Sequence, residues 1–298
     1  MLSIGVDVFG GDNAPQAVLE GIVNVLPELP EYCSLHLYGP QESCGSLKDQ
    51  YAQIELTPTS EYIGMSEHAV KALMQKPNSS LALGLRDLAQ NKTQAFASAG
   101  HSGALMVGAL QILGLQEHVL RPAVATFLPT LSGDEHLLID VGANADCKPE
   151  QLLDFAHLGV QYLKSLAKEA PVVLLNTGTE PGKGRILHQN TYKLLKEDPK
   201  LHFEGNLEIR NLYHGPAKII VTDGFTGNMV LKQTEAFYEL TRSRDLQDDY
   251  LSSLNYENYG ATPILGVKGK VMLAHGASSV RAIQNMILAS ARFAQANF

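Results

Sequence analysis

The chain has 298 residues, enough to bury a substantial core as one large α/β domain or two closely joined lobes. Its 45% hydrophobic and 18% charged residues are those of an ordinary soluble globular enzyme, and its formal net charge of -8 excludes a general nucleic-acid binder, which needs a basic face. Three cysteines without metal-ligand spacing (Cys33, Cys44, Cys147) fit a reducing cytoplasm. No apolar stretch reaches the roughly 18 residues of a membrane span, and the start of the chain lacks the pattern of a secretion signal.

In chain order, residues 4–8 read as a buried strand turned by Gly10 and Gly11, with Pro15 opening a helix over 16–26. Strands follow at 34–38 and 54–57, with a helix at 41–53 between them. A helical pattern covers 67–74, and the pair Ser79–Ser80 caps another over 81–89. A strand at 95–98 leads to a helix of small and apolar residues at 103–114. Strands at 124–128 and 137–141 flank a polar turn at Ser132 and Gly133, and 149–169 is the longest helical pattern. Further strands are expected at 172–176, 219–222 and 271–274, each followed by a glycine turn and a helix. Residues 240–259 are the least periodic. The alternation predicts a doubly wound α/β/α fold with a mostly parallel sheet, a single domain over 1–298 carrying an irregular helical excursion around 236–258.

One device recurs six times. A β-branched apolar run ends in a glycine-rich polar turn, as in IGVDVFGGDNAP, AFASAGHSGALM, LLIDVGANAD, VVLLNTGTEPGKG, IIVTDGFTGNMVLK and VMLAHGASS. Open α/β sheets bind ligands at strand C-termini, so these turns mark the expected active edge. Backbone N–H groups and a following helix N-terminus suit an anion there. The 98–103 turn reads as such a site or as a plain strand-to-helix turn. Lys183, between two glycines, can reach an anion, but by itself it reads first as a surface lysine. Asp7, Asp12, Asp140, Asp146 and Asp223 stand at strand ends, where aspartate mostly caps turns. His101 and His275 read as an acid or base or as hydrogen-bonded loop histidines. The P-loop spacing, the GxGxxG fingerprint and the GxSxG elbow are all absent, and Cys147 has no evident histidine partner.

Taken together, DVFGGDNAP, SAGHSGALM, RPAVATFLPT, LIDVGANADCKPEQLLDFAHLG, LLNTGTEPGKG, FEGNLEIRNL, VTDGFTGNMVLKQTE, NYGATPILGVKG and AHGASSVRAI resemble, in order, the bacterial phosphate acyltransferases of phospholipid synthesis, the PlsX family. The resemblance runs from Asp7 to about Ile283. It implies a fold similar to isopropylmalate dehydrogenases and phosphotransacetylases. It implies transfer of a long-chain acyl group from acyl carrier protein to inorganic phosphate, with no cofactor and no metal. It also implies a homodimer in the cytoplasm and hand-off of acyl phosphate to a membrane glycerol-3-phosphate acyltransferase. Nucleic acid is not an expected partner.

A thioester is already activated, so phosphate can attack it directly. Positioning then removes on the order of 7–11 kcal/mol of barrier, and each oxyanion donor contributes roughly 3 kcal/mol. With the motif positions, this chemistry assigns a phosphate and thioester pocket to the turns at 98–103, 176–184 and 223–228. Lys183, His275 and Asn228 are the catalytic candidates, Lys183 neutralising phosphate and His275 or a water protonating the leaving thiolate. The binding candidates are Gly10, Gly11, Asp12, Ser98, Gly100, His101, Ser102 and Gly103 early in the chain, and Asn144, Asn176, Gly178, Glu180, Gly184, Asp223, Gly224, Thr226 and Gly227 later.

The chain departs from the family pattern at Val8–Phe9 (usually Ala-Met), at His101 and Ser102 (usually Asn and Thr) and at Ala261 (often Gly). The stretch KALMQKPN is nearly neutral where the family is basic. The usual apolar and basic insertion is replaced by AFYELTRSRDLQDDYLSSLN, whose Asp245, Asp248 and Asp249 oppose anionic lipid, so peripheral membrane contact is left open. A basic docking patch for the acidic carrier protein is expected among Lys71, Lys76, Arg86 and Lys92. Three rivals stand beside this reading: a short-chain acyl-CoA phosphotransacylase, an NAD- and metal-dependent decarboxylating dehydrogenase, and a non-enzymatic scaffold.

Overall fold

A computed structural model describes residues 2–296 and 298. In chain order the first elements are β1 (Leu2–Asp7), α1 (Gln16–Val25), β2 (Cys33–Gly39), α2 (Gln41–Gln50), β3 (Ile54–Pro58), α3 (Ala69–Gln75) and α4 (Ser80–Ala89). Then come β4 (Ala95–Ser98), α5 (Ser102–Gly108), β5 (Ala123–Pro129), β6 (Glu135–Ile139), α6 (Pro149–Ser165) and β7 (Val172–Asn176). The rest are α7 (Ile186–Glu197), β8 (Phe203–Glu208), β9 (Ile219–Val221), α8 (Gly224–Ser243), α9 (Asp249–Ser253), β10 (Thr262–Leu265), β11 (Val271–Leu273) and α10 (Val280–Gln295).

The described residues divide into two compact units, the first holding residues up to Gln116 together with Tyr256–Ala296, the second Glu117–Asn255 and Phe298. In the first unit the strand order is β3-β2-β1-β4-β11-β10, parallel throughout except for β10. Ile4 to Asp7 and all of β4 are buried residue after residue, as strands covered on both faces must be. On one face α4 crosses so closely that a Cβ on Gly84 would lie 2.0 Å from the Phe96 ring. Ser79 caps α4 by accepting from the Ala82 N–H, and Ser279 caps α10 in the same way.

In the second unit the order is β5-β6-β9-β7-β8, with β5 antiparallel and the others parallel. Two strands escape the sequence pattern, β8 and β10. The first, FEGNLE, is half polar with a glycine at φ +108°, and the second is the four-residue TPIL with a proline. β8 is an edge strand, where apolar alternation is not required, and β10 is too short and proline-containing to show a period. The helix expected over 103–114 is α5 continued by a π-turn at Ala109–Leu113. Around 236–258, α8 runs on to Ser243, and α9 and a 3₁₀ turn at Tyr256–Asn258 follow.

His136 on β6 is buried. Its Nδ1 accepts from the Lys218 N–H at 3.0 Å and its Nε2–H donates to the His214 carbonyl at 3.3 Å. Burial holds its pKa below the ordinary histidine value, and His188 on α7 is shifted in the same direction. Below an unfolded pKa of about 6.5 the unfolded chain takes up protons that the folded one refuses, so stability is lost as pH falls through that value. Urea midpoints measured between pH 8 and pH 5 should therefore decline, and His136→Asn should flatten the slope.

Candidate active site

In the first unit the turns after β1, β4 and β11, three adjacent strands, are locked together. The Asp7 carboxylate accepts from Ser98 Oγ at 2.7 Å and the Phe9 N–H at 3.1 Å, and Ser98 Oγ in turn accepts from the Gly100 N–H at 3.0 Å. Burial pushes the Asp7 carboxyl up while these donors oppose the shift. A Cβ on Gly10 would lie 2.8 Å from the Gly100 nitrogen, so only glycine lets the two turns touch. The Asp12 N–H reaches the Gly276 carbonyl at 2.8 Å, which joins the third turn. Ser98 is fully buried and serves the turn rather than the surface.

His101 caps α5. Its Nδ1 accepts from the Ala104 N–H at 3.3 Å and its Nε2–H donates to the Glu67 carbonyl at 2.8 Å, so both ring nitrogens are engaged. The Ser102 and Gly103 N–H groups head the helix, where no intrahelical acceptor exists. His275 is exposed, with Nδ1 accepting from the Ala277 N–H at 3.2 Å and its ring 5.2 Å from that of Tyr256.

The second unit gathers the later candidates at the C-terminal ends of β6, β9 and β7, which are again neighbours. Asp140 is completely buried, and its carboxylate collects the N–H groups of Val124, Gly142, Ala143 and Asn144 and the Asn144 side-chain amide. Burial raises its pKa, and those donors, which an ionised carboxylate uses best, pull the other way. On this turn sits the start of α8. A Cβ on Gly227 would lie 1.9 Å from the Asp140 carbonyl oxygen, and Asn228 borders Gly142.

Asp223, 2% exposed in its side chain, caps α8 by accepting from the Thr226 N–H at 2.8 Å and Thr226 Oγ1 at 3.0 Å. It also clasps the guanidinium of Arg185, whose side chain is 61% exposed. The Gly224 N–H goes to the Asn144 carbonyl at 2.8 Å, so much of this helix start is satisfied within the fold. Asn176 closes the 177–183 loop, its amide donating to the Lys183 carbonyl at 3.2 Å and its Oδ1 accepting from the Thr177 N–H at 2.8 Å. Gly184 completes the loop at φ +82°. Lys183 and Glu180 are both exposed at 3.8 Å, a pair too solvated to hold Lys183 in place. Gly178 lies under the Lys183 stem.

The aspartates thus act as turn and helix caps, as their strand-end positions indicate. Arg185 was not among the sequence candidates. It directly follows the last glycine of the 178–184 turn, and only the tertiary bond to Asp223 marks it. Burial pushes the Cys147 thiol up to about 11, so it is no activated nucleophile. Among the described residues no cluster of three or more His, Cys, Asp or Glu is placed to hold a metal, and no helix is long and apolar enough to cross a membrane.

This arrangement, two sets of glycine turns at the C-terminal ends of parallel strands, is set on an α/β fold that solved structures share. A phosphotransacetylase from Streptococcus pyogenes superposes with a TM-score of 0.67 at 15% identity, covering 98% of this chain and 94% of that one. A branched-chain phosphotransacylase from Enterococcus faecalis gives 0.66 at 12% identity over the full length of both. A 4-hydroxythreonine-4-phosphate dehydrogenase from Klebsiella pneumoniae gives 0.56 at 10%, covering 99% of this chain and all of that one. At such identities the likeness shows the fold alone.

Sequence decides the family. Residues 2–298 match the family described as "Fatty acid synthesis protein". The phosphate acyltransferase of Caldicellulosiruptor bescii is 39% identical over 95% of this chain and 91% of its own length. That of Lysinibacillus sphaericus is 37% identical over 96% and 92%. The chain belongs to the phosphate acyltransferase family.

The fit of α8 on the Asp140 turn leaves no room for a side chain at 227. Gly227→Ala should cost about 3 kcal/mol or more in chemical denaturation, whereas alanine at Gly182, whose Cβ would meet no atom within 4 Å, should cost under about 1 kcal/mol.

Proposed function

We propose that this protein transfers a long-chain fatty acyl group from acyl carrier protein to inorganic phosphate, forming acyl phosphate for phosphatidic acid synthesis. Membership in the phosphate acyltransferase family carries this reading. Phosphate oxygen attacks the thioester carbonyl carbon, the C–O bond forms, and the tetrahedral oxyanion collapses with loss of the thiolate. The thiolate takes a proton from His275 or from a water. Phosphate is charged at neutral pH, so no general base is required.

The assigned roles follow from chemistry and placement. Lys183, on a closed but solvated loop, neutralises phosphate charge. Asn228, beside Gly142 on the first turns of α8, donates to the reacting oxygens. The turn at 100–103 supplies backbone dipoles, and the turn at 223–228 holds its side chains in register. For the carrier protein, Lys76 and Lys92 are already tied to Glu67 and Asp87, which leaves Lys71 and Arg86 as docking cations. The protein works as a cytoplasmic homodimer and passes its product to a membrane glycerol-3-phosphate acyltransferase.

The test is direct detection of acyl phosphate from hexadecanoyl carrier protein and phosphate, with and without liposomes. Lys183→Ala should raise the phosphate KM about tenfold, and Asn228→Ala should lower kcat by about a hundredfold. Unchanged kinetics would remove either residue from the mechanism. A ping-pong pattern or a trapped acyl-enzyme would overturn direct attack. Turnover with acetyl- or butyryl-CoA but not with the carrier thioester would favour a short-chain phosphotransacylase.

A further inference from the structure

In the first unit, four of the five large apolar side chains exposed among the described residues fall within thirteen positions: Tyr62, Met65, Val70 and Met74. The fifth, Tyr32, precedes β2. Met74 is 74% exposed. Scattered surface apolar residues need no account, but a concentrated patch marks a binding surface.

The patch is fastened to the glycine turns. A Cβ on Gly276 would lie 2.8 Å from Met65 Cε, and one on Gly103 would lie 3.5 Å from Ala69 Cβ. The His101 ring donates to the Glu67 carbonyl, and Tyr62 stacks on Phe9, the neighbour of Gly10, with centroids 5.1 Å apart. Val70 and Met74 stand one helical turn apart on one side of α3, opposite its buried Ala72 and Leu73.

The nearest charges are consumed locally. Glu67 accepts from Lys76 and from the Gly64 N–H, both at 2.6 Å, and Glu61 accepts from the Asn78 N–H at 3.2 Å. An acidic protein partner is met by cations, but Lys76 is spent on Glu67 and the exposed surface here comes mainly from Tyr62, Met65, Val70 and Met74. An alkyl chain needs only apolar surface that begins at the turn where its carbonyl is held.

The geometry points to the strip formed by Tyr62, Met65, Val70 and Met74 as the surface that receives the acyl chain of the donor, so that these residues set chain-length preference. This inference rests on the acyl-transfer reading above. The chain meets Met65 over Gly276 and lies along Val70 and Met74. Each buried methylene adds to binding of a long donor and adds nothing for a short one that ends before α3.

The experiment compares kcat/KM for hexadecanoyl and hexanoyl thioesters of the same carrier protein. In the double variant Met65→Ser, Met74→Ser the long-to-short ratio should fall about tenfold, chiefly through the long-chain KM. Met74→Leu, which keeps apolar surface, should retain the ratio. Leu246→Ser, an exposed apolar residue of the second unit, should retain it too. An unchanged ratio, or an equal loss on both donors in a variant that melts like the parent, would overturn the inference. A change from dimer to monomer with the ratio unchanged would assign the strip to a subunit interface instead, and would also overturn it. If the parent protein makes acyl phosphate from neither donor, the acyl-transfer reading itself fails.

Discussion

Three carboxylates buried at strand C-termini hold the loops of this protein in place: Asp7 closing β1, Asp140 after β6 and Asp223 after β9. A buried carboxylate is strongly unfavourable unless its oxygens are satisfied. Each of these three is, by groups from its own loop and from neighbouring elements: five donors at Asp140, a serine and a backbone N–H at Asp7, a threonine and an arginine at Asp223. Removing any donor would leave charge uncompensated, so the turns have little freedom to rearrange. The glycines follow from this constraint. Once Asp140 has drawn its turn inward, α8 can seat on it only where residue 227 lacks a side chain.

The same constraint limits what the turns can do for a ligand. N–H groups that serve a carboxylate are not available to an anion. At the head of α8 the Asn144 carbonyl takes the Gly224 N–H, the Asp223 carboxylate takes that of Thr226 and the Asp223 carbonyl takes that of Gly227. A bound anion there must be met largely by side chains. Two cations of different character stand near the chain segment concerned. Lys183 is solvated with only a loose ion pair to Glu180, whereas Arg185 is held by Asp223. A fixed planar cation orients, and a mobile ammonium follows charge as it shifts between oxygens.

Most strands that proved legible are buried apolar runs, and the edge strand β3 was legible too although only Ile54 in it is buried. β4 and β7 coincide with the expected 95–98 and 172–176, and β1, β2 and β3 fall within two residues of expectation. β8 was invisible because an edge strand needs no continuous apolar run and Gly205 interrupts it, and β10 because four residues that include Pro263 show no period. The antiparallel setting of β5 and β10 was equally hidden, since direction leaves no trace in local composition. Serine caps and aspartate turns could be read because their partners lie two to four residues away. Arg185 and the exposed strip at 62–74 could not. Arg185 gains meaning from a residue 38 positions on, and the strip has the sequence pattern of an ordinary weak helix.

The state of the titratable groups bears on the chemistry. Covalent catalysis needs a nucleophile with a lowered pKa or a free base beside it. Here the Cys147 thiol is pushed up to about 11, and both His101 nitrogens are committed to Glu67 and Ala104. Asp7 and Asp140 spend their oxygens on backbone and side-chain donors. A scaffold that immobilises its acids and bases in this way is poorly suited to forming an acyl-enzyme. It is well suited to a reaction in which both partners arrive activated, one as a thioester and the other as an anion, and in which rigid turns supply position and dipoles. His275 is exposed, and its Nδ1 accepts from the Ala277 N–H.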